Sequence, residues 1–246
     1  RLEVENKVDP SILQYLQKEL DVPDRDVYEI HGPLDLSFVS KLSKIPGYSH
    51  LQYDSLIPQT PQDLLGENDI FEAIRKKDIL LHHPYESFDY VVEFVRKAAE
   101  DPDVLAIKQT LYRVSGQSPI IKALAVAAEN GKQVTVLVEV KARFDEENNI
   151  HWARRLEQAG CHVIYGLVGL KTHCKITLVV RREEQGIRRY VHLGTGNYND
   201  VTARLYTDMG LFTCKEAYGA DASALFNCLS GYGDVPSFYK LAMAPT

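Results

Sequence analysis

An α/β fold is predicted from residue 78 onward, with a mostly parallel sheet, helices on both faces and one antiparallel hairpin. Three observations predict it. Short apolar runs begin near Ile79, Val104, Val134 and His162, roughly every 26 to 30 residues, the length of one strand–helix–strand unit. The stretches between them carry apolar residues at helical spacing. After Gly169 the pattern changes to two apolar runs, 174–180 and 187–193, around the polar turn Glu183-Glu184-Gln185-Gly186.

The elements follow in order. Pro10 opens a helix with Leu13, Leu16 and Leu20 on one face, and Val27 to Ile30 suits a short strand. Gly32-Pro33 breaks the chain before a second helix with Phe38, Val39 and Leu42. Residues 45–68, rich in Pro, Gly, Gln and Asp, read as a long connection. Ile79-Leu80-Leu81 is a buried strand, followed by a helix placing Phe88, Val91, Val92, Val95 and Ala99 together. Val104 to Ile107 is the next strand. Ser118 and Pro119 then start a helix as N-cap and first-turn proline, and Gly131 ends it. Val134 to Val140 is nearly all apolar, as a strand covered on both faces must be. A helix with Ile150, Ala153, Leu156 and Ala159 leads through Gly160 to the strand His162–Tyr165, and a last helix runs from about Asp221 to Leu229. The boundary between a mixed α+β part and the α/β domain is placed at 77/78. The chain starts at Arg1 and ends at Ala-Pro-Thr, which reads as a segment of something longer.

Composition narrows the function. A 45% hydrophobic and 25% charged chain is core-forming rather than disordered. The net charge of -6 argues against whole-chain attraction to nucleic acid, so an anionic ligand needs a local basic cluster. The four cysteines are scattered without a CxxC pair, which suits a reducing cytoplasm. No run of 18 apolar residues predicts a membrane span, and peripheral membrane association stays open.

Ligands of open α/β sheets bind beyond the carboxyl ends of the parallel strands. Arg113 follows the second predicted strand, Arg143 the third and His173 the fourth. Guanidinium forks grip phosphate oxygens with two bonds at once. A neutral imidazole attacks phosphorus near pH 7 and holds the group through a P–N bond. Lys175, two residues after His173, shares its face and neutralises phosphate charge. In Gly194-Thr195-Gly196-Asn197 the glycines would let backbone N–H groups approach an anion, and Asn197 adds a polar side chain. Asp208 would hold the far nitrogen of His173, and Tyr206 would stack on a base or bond a phosphate. The plainer alternatives are surface arginines, a strand-end histidine bonded to a carbonyl, an ordinary turn and a capping aspartate. The shared sheet edge favours the site. His82-His83 alternate faces, which is poor spacing for a metal. His31, His50, His151, His162 and His192 show no partner pattern.

The His173-x-Lys175 pair followed by Gly194-Thr195-Gly196-Asn197 resembles half of a phospholipase D superfamily site. Val180 stands where that superfamily's motif has Asp. A closer resemblance is to the polyphosphate kinase family. It rests on His82-His83-Pro84-Tyr85, Ile107 to Arg113, Val138 to Asp145, Lys171-Thr172-His173, His192 to Asn199 and Thr202 to Asp208. It implies that residues 1–77 are the end of a head domain and 78–246 the first of two phospholipase D-like catalytic domains. It further implies reversible transfer of the terminal phosphate of ATP to inorganic polyphosphate through a phosphohistidine at His173. Arg113 and Arg143 match an Mg²⁺–phosphate pair, expected to act through phosphate because a guanidinium does not ligate metal, and Tyr206 matches a nucleotide contact. A homo-oligomer is implied for the full-length protein, with no nucleic acid as partner. Two alternatives stand beside this reading. One is a phosphodiesterase forming the same P–N bond, which needs a second His-x-Lys. The other is a catalytically incomplete binding or structural piece.

Overall fold

The computed structural model describes residues 1–139, 146–166, 169–231 and 237–244. The chain divides into two compact units, Arg1–Ser55 and Leu56–Thr246.

In the first unit, strands β1 (Leu2–Glu5) and β2 (Val27–Ile30) pair in parallel and are joined through helix α1 (Pro10–Leu20). Asp9 caps α1 by accepting from the Ser11 N–H at 2.8 Å, and Pro10 fills the first turn, where no N–H is needed. The helix expected around Phe38 and Leu42 is a 3-10 helix, Ser37–Lys44. Its serines explain the tighter winding: Ser40 and Ser43 donate to the carbonyls of Ser37 and Ser40, competing with an α-helical ladder.

The second unit begins earlier than the expected boundary at 77/78. Helix α2 (Ile70–Lys76), capped by Asp69, buries Ile70, Phe71, Ala73 and Ile74 in the core that also holds the first strand of the main sheet. The elements that follow are β3 (Ile79–His83), α3 (Asp89–Glu100), β4 (Val104–Leu111), α4 (Pro119–Glu129), β5 (Gln133–Val138), α5 (Glu146–Gln158) and β6 (His162–Ile164). They are succeeded by β7 (Lys175–Glu183), β8 (Gly186–Gly194), β9 (Asp208–Thr213) and α6 (Glu216–Leu229).

The strands form one seven-stranded sheet in the order β3-β9-β8-β7-β4-β5-β6. β3, β4, β5, β6 and β8 run one way, and β7 and β9 the other. The sheet is therefore mostly parallel in direction, with β7–β8 as the expected hairpin. The placement of β3 differs from the simple βαβ expectation. It sits at the far edge, paired with β9, a strand the sequence reading missed.

Helices cover both faces. α2, α3, α4 and α5 pack on one face against Ile107, Val134, Val136, Val179, Tyr190 and Phe212. On the other, α6 sets Ala222, Leu225, Phe226 and Leu229 against Leu137, Ile176, Leu178 and Val191. α4 starts as expected, with the Ser118 hydroxyl accepting from the Ile121 N–H at 3.3 Å, and Gly131 closes it at φ 79°. Among the described residues, no helix is long and apolar enough to cross a membrane.

Candidate active site

The topology itself carries His173 to the ends of the central strands. β6 lies at one edge and β7 on the far side of β4, so the chain between them must cross in front of β5 and β4. Gly166, at φ 57°, passes so close to β5 that an added Cβ would lie 3.4 Å from the Glu139 carboxylate. That carboxylate is buried and accepts the Thr172 N–H at 2.9 Å, immediately before His173. On the other side, the Thr110 hydroxyl donates to the Cys174 carbonyl at 2.8 Å and accepts from the Ile176 N–H at 3.1 Å. Asn149 of α5, also buried, donates to the carbonyls of Tyr112 and Glu139 at 2.7 and 3.0 Å, tying the two strand ends together. The main chain on both sides of His173 is thus held by buried polar groups, where a lost partner is costly.

The imidazole of His173 is exposed. Lys175 is only 5% exposed, and its ammonium donates to the His173 carbonyl at 2.6 Å and lies 3.1 Å from each ring nitrogen. A point equidistant from both nitrogens lies on neither lone-pair axis, so the ammonium does not block in-line attack. Tyr112 meets the imidazole edge to face, with centroids 5.1 Å apart. Partial burial, then the charges of Lys175, Lys171 and Arg113, hold the His173 pKa below the ordinary imidazole value. The ring is therefore neutral and nucleophilic at pH 7. Burial likewise lowers the Lys175 pKa.

His173, Lys175, Arg113, Asn197, Tyr206 and Asp208 all line one pocket of about 520 Å³, together with Thr195 and Asn199. These are the expected site residues that fall within the described part of the chain. Arg143 lies outside the described residues. Tyr206 is 64% exposed at the rim, on a turn shaped by Asn199, whose side-chain oxygen accepts from the N–H groups of Val201 and Thr202 at 3.1 and 3.0 Å. Asn197 lines the pocket, and its side-chain oxygen is buried with no hydrogen-bond partner among the described residues.

Two expectations are corrected here. Asp208 does not hold the far nitrogen of His173. Its carboxylate accepts from the Thr195 hydroxyl at 2.8 Å, and Thr195 in turn accepts from the Met209 N–H at 2.9 Å. β9 begins at Asp208, and this pair closes the register of β8 and β9. The glycine at 196 is also explained differently, since an added Cβ would lie 2.4 Å from Asp208 Oδ2. The close approach that requires glycine is to Asp208 rather than to an anion.

Sequence reasoning missed Tyr112, Thr110, Glu139 and Asn149, whose roles depend on contacts across strands. It also passed over His192, which is buried on β8 and bonded through Nδ1 to the Tyr198 hydroxyl at 2.8 Å. Burial, and the proximity of His83, push the His192 pKa down to about 3. Among the described residues, no cluster of three or more His, Cys, Asp or Glu side chains is placed to hold a metal ion.

Fold and pocket together define an α/β domain with a cationic, histidine-bearing pocket at the ends of its parallel strands, chemistry suited to phosphate groups. The model of the polyphosphate kinase C-terminal domain 1 matches residues 69–235, and the chain belongs to the polyphosphate kinase family. It is 63% identical over its whole length to polyphosphate kinases of Halalkalibacterium halodurans and Bacillus cereus, and spans 35% of each. The crystal structure of polyphosphate kinase from Porphyromonas gingivalis superposes with a TM-score of 0.76 at 32% identity, covering 96% of this chain and 36% of that one.

Proposed function

We propose that this chain carries the phosphohistidine half-site of a polyphosphate kinase, with His173 as the nucleophile. The observation that carries the reading is the convergence of His173, Lys175, Arg113, Asn197 and Tyr206 on one pocket. In the forward direction an imidazole nitrogen attacks the terminal phosphorus of ATP. A P–N bond forms, the bridging P–O bond breaks, and ADP leaves with the electron pair. A terminal oxygen of the polyphosphate chain then attacks the same phosphorus, and the P–N electrons return to the ring. Each step is reversible, so ATP is formed from polyphosphate by the same route.

Because phosphoryl transfer proceeds through a loose transition state, the protein contributes positioning and charge. Lys175 and Arg113 face the charge on the transferred group, and Arg143 belongs to the same set by resemblance. Tyr206 at the rim suits a base or sugar, and the Asn197 side chain adds a polar group to the wall. Asp208 acts indirectly, by fixing the turn that bears Asn197. Mg²⁺ fits this pocket as a nucleotide-chelated ion, since Asp208 is the one carboxylate among the described lining residues and faces two cations, Arg113 and Lys175. Bound in that way it would neutralise phosphate charge, with Arg113 and Arg143 holding the phosphates.

The working protein is proposed to act on ATP, ADP and inorganic polyphosphate, as a homo-oligomer in the cytoplasm or at the membrane surface. The test is formation of polyphosphate from ATP and Mg²⁺, by the protein at its natural full length and by its His173→Ala variant. Product from the parent alone supports the reading, and equal product from both contradicts it.

A further inference from the structure

We infer that Tyr112 is a positioning residue that gathers cations around His173 without itself neutralising them. Four groups surround its ring. The guanidinium of Arg113 lies 5.5 Å from the ring centroid, the Lys171 ammonium 5.1 Å and the Lys175 ammonium 5.5 Å. The imidazole of His173 meets the same ring at 5.1 Å and 76°. This inference rests on the phosphohistidine reading of the site.

The physical problem is repulsion. Three like charges sit beside one imidazole, close enough that each lowers its pKa. Lys175 is anchored by its bond to the His173 carbonyl, but the exposed Lys171 stem is flexible, and its charge would swing away from the others before a phosphate arrived. A carboxylate between the two lysines would hold them together, but it would also cancel their charge and repel the phosphate. Among the described residues, the Lys171 and Lys175 ammoniums meet the Tyr112 ring and the His173 carbonyl rather than a carboxylate oxygen. An aromatic face attracts cations through its quadrupole and carries no net charge. It therefore keeps the Lys171 and Lys175 ammoniums beside His173 without cancelling their charge, where negative charge will accumulate, which is the preorganisation that phosphoryl transfer uses. The edge-to-face contact also restricts rotation of the nucleophile itself.

Tyr112 is held for this task. Its carbonyl accepts from the buried Asn149 amide at 2.7 Å, at the end of β4, so the ring is not free to drift with the loop that bears His173.

The experiment compares Tyr112→Phe and Tyr112→Leu in the protein at its natural full length, with His173→Ala alongside. The readouts are the initial rate of acid-labile labelling from γ-labelled ATP, its dependence on ATP concentration, and its pH profile. Tyr112→Phe keeps the ring and is expected to stay within about twofold of the parent. Tyr112→Leu keeps apolar bulk but loses the quadrupole. A fall of about tenfold is expected, with a higher ATP concentration for half-saturation and an acid limb moved to higher pH as the cations spread. Should Tyr112→Leu fail to fold in a thermal melt, Tyr112→Met is the equivalent non-aromatic variant. Parent-like labelling by the folded aliphatic variant overturns the inference, as does a Phe variant as impaired as the Leu one. Label that persists in His173→Ala contradicts the phosphohistidine reading instead, so the two failures are told apart.

Discussion

The Lys175 ammonium lies 3.1 Å from both ring nitrogens of His173 while donating to the carbonyl of the same residue at 2.6 Å. One buried cation therefore anchors the backbone of the proposed nucleophile and adds to the burial that lowers its pKa. Because Lys175 is the first residue of β7, its position is fixed by a strand whose next residues are buried in the sheet.

Replacing Lys175 by Met removes that charge while nearly keeping the shape. The His173 pKa, lowered in part by Lys175, then rises toward its ordinary value. His173 would remain protonated to a higher pH, so the acid limb of the labelling rate shifts upward. A pH–rate profile of the parent and Lys175→Met checks this, and coincident acid limbs would count against it.

Gly196→Ala places a methyl 2.4 Å from Asp208 Oδ2 and 2.6 Å from its Cγ. Asp208 must move, and the Thr195–Asp208 bond is lost with it. The expected cost is about 1–3 kcal/mol in urea unfolding, as for other overpacked sites. Double replacement with Asp208→Gly should recover most of that loss, and a double variant no better than the single one would show that the strain lies elsewhere.

Glu139→Ala leaves the buried Thr172 N–H without its acceptor and is expected to lower stability by about 1–3 kcal/mol. Glu139→Gln retains an acceptor oxygen and should recover much of that stability and of the labelling rate. Equal stability for Ala and Gln would mean that the bond to Thr172 contributes little.

Much of this architecture was legible in the sequence. Alternating apolar runs and helical spacing gave β4 to β8 and the helices between them, because a strand covered on both faces must be apolar throughout. The shared sheet edge of His173 and Arg113 followed from strand direction alone. What stayed hidden was long-range pairing. β9 reads as Asp-Met-Gly-Leu-Phe-Thr, with a central glycine that weakens any strand signal. That glycine is needed because a Cβ at Gly210 would meet His192 Nε2 at 2.8 Å. Asp208 looked like an orienting acid from its position near Tyr206, but its real partner, Thr195, depends on β8–β9 pairing. Tyr112 and Glu139 lie in stretches that carry the family resemblance, but their roles and that of Asn149 come from strand ends brought together by the crossing to β7.

Acid stability offers a check on the buried layer beneath the pocket. The unfolded chain protonates His192 as pH falls past about 6.5, whereas the folded chain does not until about 3. Stability from this residue is complete above the unfolded value and is lost as pH falls below it, by about 1.4 kcal/mol per pH unit. Burial of His83 acts with the same sign. Urea unfolding between pH 7 and 5 should show this slope in the parent and a shallower one in His192→Gln. Identical slopes would mean that His192 is protonated in the folded protein.

The most direct measurement concerns the atom that receives the phosphate. The protein at its natural full length is mixed with γ-labelled ATP and Mg²⁺, quenched in alkali, digested and fragmented by a method that preserves P–N bonds. Acid-labile phosphate is expected on the imidazole of His173, chased off by added ADP or polyphosphate, and absent from His173→Ala. Phosphate located on another residue, or label undiminished in His173→Ala, would contradict it.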